Sequence, residues 1–309
     1  MGPCKLLTQT SFLEEVQLSN FNRLKYMDFS WFPTLTNKMV QKIYMKCKTV
    51  EAFKFAYYSQ ITDTVIETLS SYRASGVKEI SFKSSSKDLY EMKDKFTDSC
   101  FAKFLTTYKD LKKFTLHTCT INLFTKTFTN ELSNLIVLKF EHILLLKEEN
   151  LDLVHTVKQC VNLQFLKIGN LRLPQRDLMN LSKEKSEKFR ETFQALTKLK
   201  TLKIGQFAGN YLMKEIADHV PNLTKLVILS DSVDDDGLSF VLKKSVNLSH
   251  LNISECRMIN GHCLDDILSR KLRKLVVNFE DYKCRCTQQS LLKQGILGVN
   301  TLVNKYKRR

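Results

Sequence analysis

Four prolines, nine glycines and a single tryptophan are all that 309 residues contain. So sparse a supply of chain breakers leaves no proline- or glycine-rich linker, and one continuous domain over 1–309 is the economical expectation. Long apolar runs are missing too. The longest, Leu135 to Leu146, is broken by Lys139, Glu141 and His142, which makes it too polar to span a bilayer, and no membrane partner is expected. Met1 to Gln9 lacks the apolar stretch of a signal peptide, and Leu6 stands where a myristoylation signal wants a hydroxyl. There is no P-loop, no dinucleotide-type glycine turn, no G-x-S-x-G elbow and no H-E-x-x-H. The six histidines have no carboxylate or thiol at a triad-like spacing, so neither an enzyme nor a cofactor is expected. Acid is also in deficit: 32 Asp and Glu face 48 Lys and Arg, for a net charge of +16.

The nine cysteines are an odd number and scattered, which favours a reduced protein of the cytoplasm or nucleus over a disulfide framework. Cys263, Cys284 and Cys286 with His262 form the tightest thiol cluster. They lack the two-plus-two spacing of a structural zinc site, and no metal is expected.

What the chain has in abundance is one spacing, L-x-x-L-x-L. The triads are Leu24/Met27/Phe29, Val50/Phe53/Phe55, Val77/Ile80/Phe82, Leu111/Phe114/Leu116, Leu135/Leu138/Phe140, Leu163/Leu166/Ile168, Leu199/Leu202/Ile204, Leu223/Leu226/Ile228, Leu248/Leu251/Ile253 and Leu272/Leu275/Val277. Their first positions are separated by 26, 27, 34, 24, 28, 36, 24, 25 and 24 residues. Seven of these nine intervals suit a leucine-rich repeat, and the two long ones read as a repeat plus an insertion, near 84–110 and 171–198. The alternation inside each triad predicts a short strand with one buried face. A second apolar set follows at helical spacing, as in Met39/Val40/Ile43/Tyr44, Val65/Ile66/Leu69, Leu151/Val154/Val157, Leu212/Ile216/Val220 and Leu238/Val241/Leu242. No such unit covers its own apolar face, so stacking must build the core. The expected fold is α/β: a right-handed leucine-rich-repeat solenoid, a horseshoe with parallel strands on the concave face and helices on the convex face.

Particular residues sharpen the class. Cys47-Lys48-Thr49-Val50 and Cys160-Val161-Asn162-Leu163 give a C-x-n-L lead-in, varied as Val220-Pro221-Asn222-Leu223. Cys119 and Cys256 hold the ninth position of their repeats, and Ile61-Thr62-Asp63 and Val233-Asp234-Asp235-Asp236-Gly237-Leu238 look like an I-T-D-x-G-L helix opening. In these features residues 24–280 resemble the cysteine-containing repeats of F-box/leucine-rich-repeat proteins and of the small leucine-rich relatives of the mitotic-exit antagonist family. The resemblance implies a protein-interaction scaffold or substrate-recognition adaptor, the receptor part of an F-box-type ubiquitin ligase, with a stand-alone scaffold unrelated to ubiquitin as the alternative. No F-box is seen: 23 residues precede Leu24, and Phe12, Leu13, Val16 and Leu18 within 1–23 read as a partial repeat or N-terminal cap. The ligase adaptor is therefore an expected partner only if an F-box lies upstream. Residues 281–309 are expected to form a C-terminal capping helix and a basic tail.

Charge locates the candidate surface. The second, third, fifth and seventh places of the triad unit face or border the concave sheet, and over ten repeats these 40 positions hold 13 basic residues and four acidic ones (Asp28, Glu51, Glu79, Glu141). The candidate binding residues are Lys112, Lys113, Lys139, Phe165, Lys167, Lys200, Lys203 and Lys225. Lys139, Lys167 and Lys203 hold the fifth position in successive repeats, and strands about 4.8 Å apart would set them in a ladder. Such a ladder either solubilises the sheet or meets an anion. A protein partner with an acidic or phosphorylated segment is expected. Nucleic acid ranks behind it, since arginines are few and Phe165 is the lone large ring at a central concave position.

Overall fold

The computed structural model describes residues 23–30, 32, 34–47, 49–56, 61–72, 76–83, 98–117, 120–121, 130–141, 144–145, 157–169, 183–260, 263, 272–277 and 299–301. The chain forms two compact units, Met1–Cys160 with Arg172–Pro174, and Val161–Leu171 with Gln175–Arg309.

In the first unit, strands and helices alternate: β1 (Tyr26–Asp28), α1 (Asn37–Lys46), β2 (Ala52–Ala56), α2 (Asp63–Tyr72), β3 (Glu79–Lys83), α3 (Asp98–Thr107), β4 (Lys113–His117), a 3-10 turn (Asn130–Asn134) and β5 (Val137–Glu141). Each strand pairs in parallel with the next, so a crossover must intervene, and the helices supply it. One register runs throughout, Met27↔Phe53↔Ile80↔Phe114↔Leu138, which aligns the central residues of five triads. All five are buried. At the third triad position Phe29, Phe55 and Phe82 stack ring on ring, with centroids 5.6 and 5.3 Å apart. Leu24 departs from the pattern at 36% exposed, because among the described residues β1 has a strand neighbour on one side alone.

The helices bury what the periodicity assigns to them. α1 hides Met39, Val40, Ile43 and Tyr44 in one stripe and starts at Thr36, whose hydroxyl accepts the Met39 N–H. Burying Tyr44 and Tyr108 requires partners for both hydroxyls. Tyr108 donates to the Leu69 carbonyl at the end of α2, so Tyr44 must be the donor in the 2.8 Å hydroxyl pair that it makes with Tyr108.

The second unit repeats the plan with β6 (Phe165–Gly169), α4 (Lys183–Ala195), β7 (Thr201–Ile204), α5 (Asn210–His219), β8 (Lys225–Ile228), α6 (Asp235–Lys244), β9 (His250–Asn252), β10 (Lys274–Val277) and β11 (Val299–Thr301). Its central residues align as Leu166↔Leu202↔Leu226↔Leu251↔Leu275, none more than 1% exposed. The lead-in asparagines stitch one repeat to the one before: Asn222 and Asn247 donate to the carbonyls of Thr197 and Pro221 at 2.8 and 3.0 Å. At the helix side Asp234 caps α6 by accepting the N–H groups of Asp236 and Gly237, while exchanging two hydrogen bonds with the side chain of Asn210. Cys47, Cys160 and Cys256 fill apolar positions at 1% exposure or less, and burial pushes the Cys160 and Cys256 thiols up to about 12. Within the 171–198 insertion, α4 packs on α5, and its Arg190 reaches the buried Glu215, which also faces His219.

One expectation is corrected. Val299–Thr301, placed by helical spacing in a capping helix, is a strand that pairs with β10 in the register Leu275↔Val299. Ile296 stands 24 residues after Leu272, so Ile296/Val299/Thr301 is a further triad whose last apolar position is a threonine. Among the described residues β10 gains a partner on its second side, which satisfies N–H and C=O groups that a helix would have left open. The partial repeat at 1–23 and the basic tail lie outside the described residues.

Candidate binding face

Side chains at the third and fifth triad places alternate with the buried positions and stand on the sheet face opposite the helices, which gives β3 and β5 their alternating half-buried and buried residues. In the first unit this face carries acid as well as base, seven basic residues against four acidic ones. Glu51 takes Lys25 at 2.6 Å through one oxygen and Lys78 at 2.7 Å through the other; Lys54 meets Asp28 at 3.0 Å, and Lys113 meets Glu79 at 3.0 Å. His117 and Glu141 stand 3.7 Å apart. Asp28–Lys54 and Glu79–Lys113 are each directly opposed across neighbouring strands, the arrangement in which opposite charges help most, and His117 is directly opposed to Glu141. Hydrogen bonds from Lys25 and Lys78 pull the Glu51 carboxyl down to about 2.

Of the residues singled out from the sequence, Lys112, Lys113 and Lys139 belong to this unit. Lys113 is held by Glu79, Lys112 precedes β4, and Lys139 sits at the middle of β5 opposite Thr115. Phe165, Lys167, Lys200, Lys203 and Lys225 belong to the second unit, where no acidic residue occupies a described face position. Lys167 and Lys203 are in register on β6 and β7. Their backbones are therefore about 4.8 Å apart, and Lys203 turns its ammonium over the Phe165 ring, 5.7 Å from the centroid. The Lys200 carbonyl accepts the N–H groups of Thr224 and Lys225, so its backbone carries the ladder while its side chain is exposed.

The structure adds residues to the candidate set, among them Lys274, which the sequence counts with the 13 basic face residues. Register places Lys225, His250 and Lys274 side by side at the third position, and Lys203, Val227, Asn252 and Val276 side by side at the fifth. Together they line a depression of about 290 Å³ whose wall is cationic and whose floor includes Val227 and Val276. The His250 Nδ1 lies 2.9 Å from the Ser249 hydroxyl, which tethers the ring in the row. Position in the repeat was the available signal: Lys274 stands where Lys225 stands, two repeats later. Attention to the central repeats hid it. The set holds fixed positive charge, an imidazole, an amide and an apolar floor, which suits capture of an anionic group. Among the described residues no group of three His, Cys, Asp or Glu side chains is placed to hold a metal ion, and no helix is long and apolar enough to cross a membrane.

No family model and no curated protein matches the chain. Solved structures do. A chain of the TLR13–ssRNA13 complex superposes with a TM-score of 0.55 at 16% identity, over 86% of this chain and 34% of its own. The yeast Rad7–Elc1 complex gives 0.48 at 13% identity, over 94% and 77%, and internalin C2 of Listeria monocytogenes gives 0.48 at 15%, over 78% and 90%. This chain thus spans about a third of the first of these. At such identities the likeness shows the fold: a leucine-rich-repeat chain of parallel strands and helices.

Proposed function

We propose that the chain is a protein-interaction scaffold that binds an acidic segment of a partner protein on the open sheet face of its second unit. The observation that carries this is the contrast between the two faces. Every acidic residue at a face position of the first unit has a basic neighbour within 3.7 Å or less, whereas the described face of the second unit carries Lys167, Lys200, Lys203, Lys225, Arg273 and Lys274 with no acid among them. Positive charge gathered on one sheet face attracts an anionic partner.

The test is fluorescence anisotropy with a labelled glutamate-rich peptide and a neutral peptide of equal length. The acidic peptide should bind with an affinity that falls as salt rises, and Lys203→Glu/Lys225→Glu/Lys274→Glu should weaken it at least tenfold at unchanged melting temperature. Equal binding of both peptides, or no effect of the triple change, sinks the proposal. A second reading is single-stranded nucleic acid, for which the Phe165 ring under Lys203 is the favouring observation and the TLR13–ssRNA13 neighbour an analogy of fold. It predicts tighter binding of a labelled RNA than of the peptide, and loss of that binding in Phe165→Ala. The role of a ubiquitin-ligase substrate receptor rests on the F-box-type resemblance of the repeats, and pull-down of the ligase adaptor with the full-length protein tests it.

A further inference from the structure

The depression on the second unit is narrower in its chemistry than an acidic groove. Its cations do not run along a track. Lys225 and Lys274 stand on strands separated by β9, about 10 Å apart at the backbone, with His250 between them, and Lys203 closes the wall from β7. Lys225 and Lys274 can both reach an anion held between their strands beside the His250 ring, and the Lys203 ammonium, which rests over the Phe165 ring, can swing from β7 to join them. A volume of about 290 Å³ lies at the small end of ligand sites, enough for a side-chain group and too little for a polymer.

A carboxylate brings one negative charge and two oxygens. It leaves most of these donors unmatched. A phosphate monoester brings between one and two negative charges at neutral pH and three terminal oxygens, and so answers three ammonium groups at once. A phosphodiester strand carries its charges singly and at intervals, and calls for a distributed track with stacking rings; the apolar surface here is the aliphatic floor of Val227 and Val276. That floor suits the methylene or methyl next to the ester oxygen of a phosphoserine or phosphothreonine, and the Asn252 amide beside it offers a donor to a peptide carbonyl.

We propose that this depression is a subsite for a phosphorylated serine or threonine of the partner segment, with Lys203, Lys225 and Lys274 as its charge and His250 and Asn252 as its polar wall. The inference rests on the reading of this face as an acidic-segment site, and it adds a recognition rule to it: modification of the partner switches binding on.

The experiment uses the full chain and two labelled peptides of one acidic sequence, with serine or phosphoserine at the centre, plus N-acetyl-phosphothreonine-N-methylamide and inorganic phosphate as competitors. Phosphorylation should tighten binding at least tenfold, and in Lys225→Gln/Lys274→Gln, which weakens both peptides, the ratio of the two affinities should fall toward one. Lys274→Arg should keep the gain. In a ¹⁵N-edited spectrum the phosphothreonine probe should shift the His250 ring resonances. Equal affinity for the two peptides overturns the subsite and leaves the acidic-segment reading standing; loss of binding to both overturns the pair. Competition by free phosphate as effective as that by the phosphothreonine probe overturns the role of the apolar floor. An RNA strand that outcompetes the phosphopeptide, and loses its binding in the same double variant, assigns the depression to nucleic acid and overturns the proposal.

Discussion

Glu51 shows how much one side chain decides. It carries one charge and engages two lysines from the repeats on either side, and hydrogen bonds from Lys25 and then Lys78 hold its carboxyl at about 2 against an ordinary 4.5. A carboxyl depressed in the folded state stabilises above its unfolded value and loses that stabilisation as pH falls through its folded value. The melting-temperature gap between wild type and Glu51→Gln should therefore be constant above about pH 5, shrink below 4.5 and vanish near 2. The gap should be small, since exposed pairs contribute little. A gap that persists unchanged to pH 2 refutes the pairing. The register is tested one unit away. Leu251 is 1% exposed on β9, and its removal in Leu251→Ala should cost about 2–5 kcal/mol through lost burial and the cavity left behind. His250 faces the other way, and His250→Ala should cost under about 1 kcal/mol by the same denaturation curve. Equal losses would mean that the two side chains share an environment.

At the scale of elements, Gly237 explains the glycine of the helix-opening motif. A Cβ there would lie 2.2 Å from the Asn210 side-chain oxygen and 2.9 Å from the Asn210 Cα. Alanine would raise helix propensity by up to about 1 kcal/mol. Against that stand a clash of about 1–3 kcal/mol and the loss of the Asn210–Asp234 pair at 2.6 Å that buttresses the cap of α6. Overpacking wins, so Gly237→Ala should lower the denaturation midpoint, and Asn210→Ala in the same chain should recover part of the loss. A stabilised single variant would show that the helix ends have room between them. Ten strands and the buried stripes of α1, α2, α5 and α6 were legible in the sequence because each is a local pattern of apolar residues whose period reports one buried face; α3 and α4, which fall in the long intervals between triads, were not, and Leu151 and Val154 lie outside the described residues. β11 was not: Thr301 breaks its triad, and what makes it a strand is the row of backbone groups on β10, which no local pattern records. The candidate site was legible in part. Lys203 and Lys225 were named, while His250, Asn252 and Lys274 join them through a register between repeats that are 24 or 25 residues apart.

For the whole molecule, net charge is a poor guide until its distribution is known. The first unit carries seven basic residues at its face positions, Lys25, Lys54, Lys78, Lys83, Lys112, Lys113 and Lys139, and the second carries six, so a count of cations makes them equals. Acid makes the difference, since all four face carboxylates lie in the first unit. Glu51 and Glu79 alone engage three of its lysines. The first face is then a latent anion-binding surface, three of whose lysines are engaged by Glu51 and Glu79, and Glu51→Gln/Glu79→Gln releases Lys25, Lys78 and Lys113 from those carboxylates at once. The double variant should bind the labelled glutamate-rich peptide several-fold more tightly and with a steeper dependence on salt, because the added attraction is between exposed charges and is screened over about 10 Å at ordinary ionic strength. The gain should persist when Lys225 and Lys274 are also changed to Gln, which separates it from the second face. If the double variant binds as wild type does, positive charge alone does not make a sheet face a binding surface in this protein, and the selectivity of the second unit must come from the shape of its depression and the row of His250 and Asn252 within it.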